Sequence, residues 1–272
     1  MIVFCIPLRS KETTNDWEMV QQRFLYTLDS IFNQKNPNFK VIVATNEIIN
    51  TKYNDDSRLE FIVCNISKPN SWIEMARDKF YKLTLIAYRI RQILSESENP
   101  NSGIYVMPVD ADDLLSNKIS DYIDKHDEAD IYISKRGYVY YYEKSYLVRY
   151  PKMYEFCGSC NIIKMFLEDL PNETPNELLC HDKFEAAKLN SIYPIRFDHN
   201  RVVDIYISKG KKVKYLPFVS TIYIKGTGDN ISEIDKIELD DRIHLGILLK
   251  KINLFSYKRI DRKLIDTFKF PY

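Results

Sequence analysis

No stretch of 18 consecutive apolar residues occurs in this chain, so a conventional membrane-spanning helix is not expected. The N-terminus, MIVFCIPLRSK, carries neither a basic leader nor a small-residue cleavage site, and no secretory signal is expected either. An excess of charge is also missing. Lys and Arg number 39 against 38 Asp and Glu, a formal net charge of +1. The global basic field of nucleic-acid binders is therefore absent, and contact with any polyanion has to be local. A cytoplasmic protein without a nucleic-acid partner is the expectation.

Cysteine is scarce and sits mostly in apolar runs. Cys5, Cys64, Cys157, Cys160 and Cys180 read as free, packed thiols of a reducing compartment. Cys157-Gly-Ser-Cys160 is a C-x-x-C, with Cys180-His181 downstream. A zinc site would need both halves to converge, and adjacent Cys and His rarely address one metal, so packed thiols are preferred.

With 272 residues, 45% of them hydrophobic and 28% charged, the chain suits one large domain or a domain with an appendage. Its first half alternates strand and helix. IVFCIPL reads as a strand, after which Trp17, Val20, Phe24, Leu28 and Ile31 recur at helical spacing behind Asn15 or Asp16 as N-cap. FKVIVAT and LEFIVCN follow as strands. Ser71 and Glu74 then form a capping box that opens a long helix with Phe80, Leu83, Ala87, Ile90 and Leu94 on its apolar face. After SESENPNSG comes GIYVMPVDADDLLS, a strand ending in three carboxylates. The order β-α-β-β-α-β predicts an α/β fold with a mostly parallel sheet and helices on both faces.

Asp110, Asp112 and Asp113 pose a problem, because they would repel one another unless water or a cation intervenes. They stand at the carboxyl end of a strand, where ligands bind in sheets of this class. Mg²⁺ or Mn²⁺ held by one or two carboxylates plus substrate phosphates would resolve the repulsion. The plainer alternative makes Asp113 the cap of a helix beginning near Leu114, with the other two solvated.

VDADD after such an opening resembles the D-x-D motif of GT-A-fold glycosyltransferases, especially the bacterial family 2-like enzymes of surface polysaccharide synthesis. CIPLRS resembles that family's first nucleotide-binding strand and loop, and ARDKFYKL the start of the helix bordering the nucleotide. CGSCNIIK is similar to the acceptor loop, HDKF to the catalytic-base segment, and YIKGTGDNIS to a closing loop near the diphosphate. These segments span residues 1 to about 232. The resemblance implies a nucleotide-binding half at 1–116, an acceptor-binding half at 117–232, and a transferase of a hexose from a nucleotide-diphosphate sugar, UDP favoured, to a glycan or lipid-linked acceptor.

The same resemblance implies residue roles. Asp112 would ligate Mn²⁺ or Mg²⁺, with Asp110 reaching the metal or the ribose. Pro7, Arg9, Arg77, Asp78 and Lys82 would surround the base, ribose and phosphates, with Asn46 or Glu47 near the base. Asp182 would be the general base of an inverting transfer. The closing loop lacks the family's usual histidine; Lys225 and Asp229 stand there, and His199 is a distant substitute. Plainer readings exist for several of these. Asp182 could be an ordinary residue at a helix N-terminus and Lys82 part of a solvated helix face. His181 reads best as a satisfied polar contact. Tyr138, Tyr140, Tyr141 and Tyr142 suit either sugar stacking or a hairpin packed on its own sheet.

Two other functions fit such a fold. A sugar-nucleotide nucleotidyltransferase would normally show a Gly-rich first loop, and IPLRSKETTND has no glycine. A non-catalytic glycan-binding or assembly module is the other. Residues 233–272 are expected to be a helical tail. Within 250–272, Leu254, Tyr257, Ile260, Leu264 and Phe268 at helical spacing among Lys and Arg predict a basic amphipathic helix, suited either to anionic membrane or to its own domain.

Overall fold

The computed structural model describes residues 1–65, 69, 71–141, 146–174, 193–196, 199–225 and 257–271. Four strands run parallel in the order β3-β2-β1-β4: β1 (Ile2–Pro7), β2 (Phe39–Thr45), β3 (Leu59–Val63) and β4 (Ile104–Pro108). Beyond β4 the sheet continues through β9 (Asn161–Met165), antiparallel to both neighbours, to β6 (Ile131–Ile133) and then β10 (Val213–Tyr215). Three strands of the 117–232 half, β9, β6 and β10, thus extend the sheet begun by the first half.

Side-chain alternation divides β1 between two cores. Ile2, Phe4 and Ile6 turn to one face and pack with Val20, Phe24, Leu28 and Ile31 of α1 (Trp17–Phe32). Val3 and Cys5 turn to the other and meet Leu83, Ile86, Ala87, Ile90 and Leu94 of α2 (Trp72–Ser95). Both helices begin as expected. The Asp16 side chain accepts from the Met19 amide, and the Ser71 hydroxyl from the Glu74 amide. The sheet covered on both faces is thus the predicted α/β architecture.

A second sheet, ordered β12-β8-β7-β11-β5, lies beyond the carboxylates. Here Leu114–Leu115 is a short strand, β5, antiparallel to β11 (Thr221–Lys225), where the plainer alternative for Asp113 would begin a helix. The next helix, α3, runs from Ile119 to Lys125. β7 (Gly137–Tyr141) and β8 (Tyr146–Tyr150) form the tyrosine-rich hairpin. Tyr138 is buried and Tyr140 meets Phe270 edge-on at 4.8 Å, so these two rings pack on their own sheet; Tyr142 lies outside the described residues.

The described part of the tail differs from one amphipathic helix. Tyr257–Arg259 forms β12 against β8, and Asp261 then caps the seven-residue α5 (Arg262–Phe268); α4 is Val202–Ser208. Strand pairing fixes Tyr257 locally, which no helical periodicity records. Leu264, Phe268 and Phe270 are buried among Leu114, Tyr138, Ile222 and Ile224. Among the described residues, no helix is long and apolar enough to cross a membrane.

Candidate active site

The chain leaves β1 toward α1 and β2 on one side, and β4 arrives on the other. The carboxyl ends of β1 and β4 therefore diverge and leave a crevice, the place where α/β sheets bind ligands. A cavity of about 670 Å³ opens there. Pro7, Leu8, Arg9 and Thr13 line it after β1, and Pro108, Val109, Asp110 and Asp112 after β4. From α2 come Asp78, Lys79, Phe80 and Leu83, while Arg23 enters from α1. Gly158, Asn161, His199 and Tyr223 also line it.

The three neighbouring carboxylates avoid repulsion in three different ways. Asp110 is ion-paired through Oδ1 with the ammonium of Lys79. Asp113 is fully buried and accepts from the Ser159 hydroxyl at 2.5 Å and the Cys157 thiol at 3.1 Å. Burial first, and then its Cys157 and carboxylate neighbours, push the Asp113 pKa well above the carboxylate range and favour the neutral form, with the Ser159 hydrogen bond pulling the other way. It caps no helix. Asp112 is pushed up to about 7 by burial and then by Asp110, with Arg23, backbone hydrogen bonding and Lys79 pulling the other way.

The loop 157–160 holds this arrangement from below. Ser159 Oγ accepts from the Asp110 amide at 2.8 Å while donating to Asp113, and the Thr221 hydroxyl donates to the Ser159 carbonyl at 2.9 Å. Cys157 and Cys160 are buried free thiols, as are Cys5 and Cys64, in accord with the packed-thiol reading; Cys180 and His181 lie outside the described residues.

The residues present accommodate a divalent cation. Asp110 and Asp112 both face the cavity, both half-buried, and Asp112 lies beside Asp110, whose charge disfavours its ionised form. A cation there would rely on substrate phosphates or water for further ligands, since among the described residues no three His, Cys, Asp or Glu are arranged to hold a metal ion. Asp113, turned to Ser159 and Cys157, is not a candidate ligand.

Of the residues singled out from sequence, Pro7, Arg9, Asp78, Asp110 and Asp112 share one cavity, and His199 joins them. Lys82 does not line it. Its side chain is 0% exposed, and Nζ donates to the Leu8 carbonyl at 2.8 Å and to Asp78 at 2.9 Å. It is neither a solvated helix face nor a wall of the cavity, but a buried clamp between α2 and the end of β1. Arg77 and Asn46 are likewise absent from the wall. Asp182 and Asp229 lie outside the described residues.

Sequence reading passed over three residues. Arg23 carries a usable signal: it falls on the buried α1 stripe between Val20 and Thr27, where a charge is costly unless partnered. Lys79 carries none that separates it from Lys82. Asn161, buried with its Oδ1 unpartnered, reads as an ordinary strand residue.

No protein-family model matches the chain, and no curated protein matches it. Among solved structures, it is similar to S. aureus TarS, with 12% identity over 92% of this chain and a TM-score of 0.39; it spans 42% of that chain. It is also similar to mouse xyloside xylosyltransferase 1 in its apo form, with 10% identity over 79% of this chain and 83% of the other and a TM-score of 0.37. Francisella tularensis 2-C-methyl-D-erythritol 4-phosphate cytidylyltransferase (IspD) aligns at 14% identity over 92% and 99% of the two chains, with a TM-score of 0.35. The fold assignment rests on the strand order itself.

Proposed function

We propose that this chain is a transferase that moves a hexose from a nucleotide-diphosphate sugar, a UDP-sugar by preference, to a glycan or lipid-linked acceptor in bacterial surface polysaccharide synthesis. One observation carries the reading: Asp110 and Asp112 face a cavity at the β1/β4 divergence whose other charged walls include Arg9, Arg23 and Lys79. Asp110 and Asp112 would hold Mn²⁺ or Mg²⁺, which when bound supplies positive charge to the leaving diphosphate.

The chain's own residues divide the remaining work. Arg9, Arg23 and Lys79 lie where negative charge on the departing diphosphate would develop, and fixed cations stabilise such charge best in a partly enclosed site. Lys82 anchors Asp78 and the Leu8 carbonyl, so the donor's floor stays rigid. Asp182 is proposed as the base that deprotonates the acceptor hydroxyl on the face opposite the leaving group, giving inversion. Arg259, Arg262, Lys263 and Lys269 are exposed. A peripheral contact with anionic lipid is proposed through these charges, because the buried residues of α5 face the protein.

The test is a thermal-shift screen of UDP, GDP, CDP and TDP, each with and without Mn²⁺. A nucleotide at 100 times its Kd adds ~2.7 kcal/mol of stability. Stabilisation by one diphosphate, enhanced by Mn²⁺, is expected; no response to any of the four overturns the reading. Two incubations then separate the chemistries: release of the nucleoside diphosphate from the matching nucleotide sugar marks glycosyl transfer, and release of pyrophosphate from the nucleoside triphosphate with a sugar phosphate marks nucleotidyl transfer.

A further inference from the structure

Lys79 and Lys82 lie one turn apart on α2, both paired with carboxylates, yet their situations are opposite. Lys82 is sealed, with two fixed acceptors and no exposure. Lys79 has 33% of its side chain open, lines the cavity, and is paired with Asp110, itself 27% open. One lysine is immobilised and the other has room to move.

Asp110 has much less freedom. A Cβ at Gly158 would stand 2.8 Å from its Oδ2, and its amide is held by Ser159, so the carboxylate is backed against the 157–160 loop. Lys79 takes the other oxygen, Oδ1. An ammonium and a divalent ion on the same carboxylate would stand roughly 4 Å apart and repel strongly in a partly enclosed site. They exclude each other.

We propose that Lys79 is an internal counter-cation that must release Asp110 before a divalent ion can be held there, freeing its ammonium within the cavity for a substrate anion. The inference rests on the reading of Asp110 and Asp112 as a cation site. Lys79 thereby sets how tightly the site takes metal when no nucleotide is present. It also couples the two occupants, because a bound diphosphate gives the displaced ammonium a new partner.

The decisive measurement is titration calorimetry with Mn²⁺ alone on the wild-type chain, Lys79→Met and Lys79→Arg. Lys79→Met is expected to bind Mn²⁺ about tenfold tighter or better than wild type, and Lys79→Arg no tighter. Equal or weaker binding by Lys79→Met overturns the proposal. A second readout needs no variant: acetylation of Lys79 in the wild-type chain by an N-hydroxysuccinimide ester, followed by mass spectrometry with and without Mn²⁺. Faster modification of Lys79 with Mn²⁺, with Lys82 unmodified, supports the displacement; an unchanged Lys79 rate overturns it. Because neither experiment contains nucleotide, failure here is distinct from failure of the nucleotide screen.

Discussion

The Asp110 carboxylate presses on Gly158 so closely that a Cβ on that glycine would lie 2.8 Å from Oδ2. The neighbour is a side-chain end, but one already tied to Lys79 and backed by Ser159, so it yields only by leaving its place. Gly158→Ala is expected to keep the fold, with a stability cost of about 1 kcal/mol. Mn²⁺-dependent nucleotide affinity is expected to fall by about tenfold or more. Unchanged affinity would mean that Asp110 needs no fixed position.

Asp112→Asn is expected to abolish the Mn²⁺-dependent part of nucleotide binding while leaving the folded structure intact, because it neutralises a cavity-lining carboxylate whose charge desolvation and Asp110 already disfavour. Calorimetry with and without Mn²⁺ reads this directly. Full retention of the metal-dependent increment would remove Asp112 from the ligand set.

Asp113 offers a test of pH linkage. Its folded pKa is raised, so the neutral form is favoured by folding; stability from this group is complete below the unfolded value of about 4 and is lost as pH rises above it. Asp113→Asn mimics the neutral form and can still accept from Ser159. The variant's melting temperature relative to wild type is expected to climb steadily from pH 4 to pH 8. A difference that is flat in pH would show that Asp113 is ionised in the fold.

Removal of the Lys82 ammonium strands Asp78, 11% exposed, beside a vacated Leu8 carbonyl. Lys82→Met is expected to destabilise by roughly 3–5 kcal/mol, as breaking a buried pair does, with Asp78→Asn restoring part of the loss. Chemical denaturation of the single and double variants checks it. A near-neutral Lys82→Met that instead loses nucleotide affinity would return Lys82 to the ligand-binding role expected from sequence.

Asp182→Asn is expected to lower kcat with donor affinity unchanged, since a base acts chiefly in the transition state. Glu155, the nearest competitor by sequence, is ion-paired with Lys152 at 2.8 Å and lies outside the cavity wall, so Glu155→Gln is expected to be active. Transfer assays on both variants decide the base; a product that keeps the donor's anomeric configuration would rule out inversion.

Local sequence determined the frame of this protein. Period-3.6 stripes, the Asp16 and Ser71 caps and the apolar strand runs act over a few residues, so α1, α2 and the four parallel strands were readable before any long-range contact was known. The carboxylates at a strand end, which line the cavity, were visible for the same reason. What the tertiary structure alone decided are relations between residues far apart in the chain. Lys79 meets Asp110 across 31 positions and Lys82 meets Leu8 across 74, and nothing in ARDKFYKL says which lysine faces the cavity. Asp113 is buried against Ser159 and Cys157, 46 and 44 residues away, and that burial favours its neutral form, so a residue that locally resembles a helix cap becomes a buried acid. Tyr257 joins a strand because β8 offers an unpaired edge to it, and an edge is a property of the assembled sheet rather than of the tail's own periodicity.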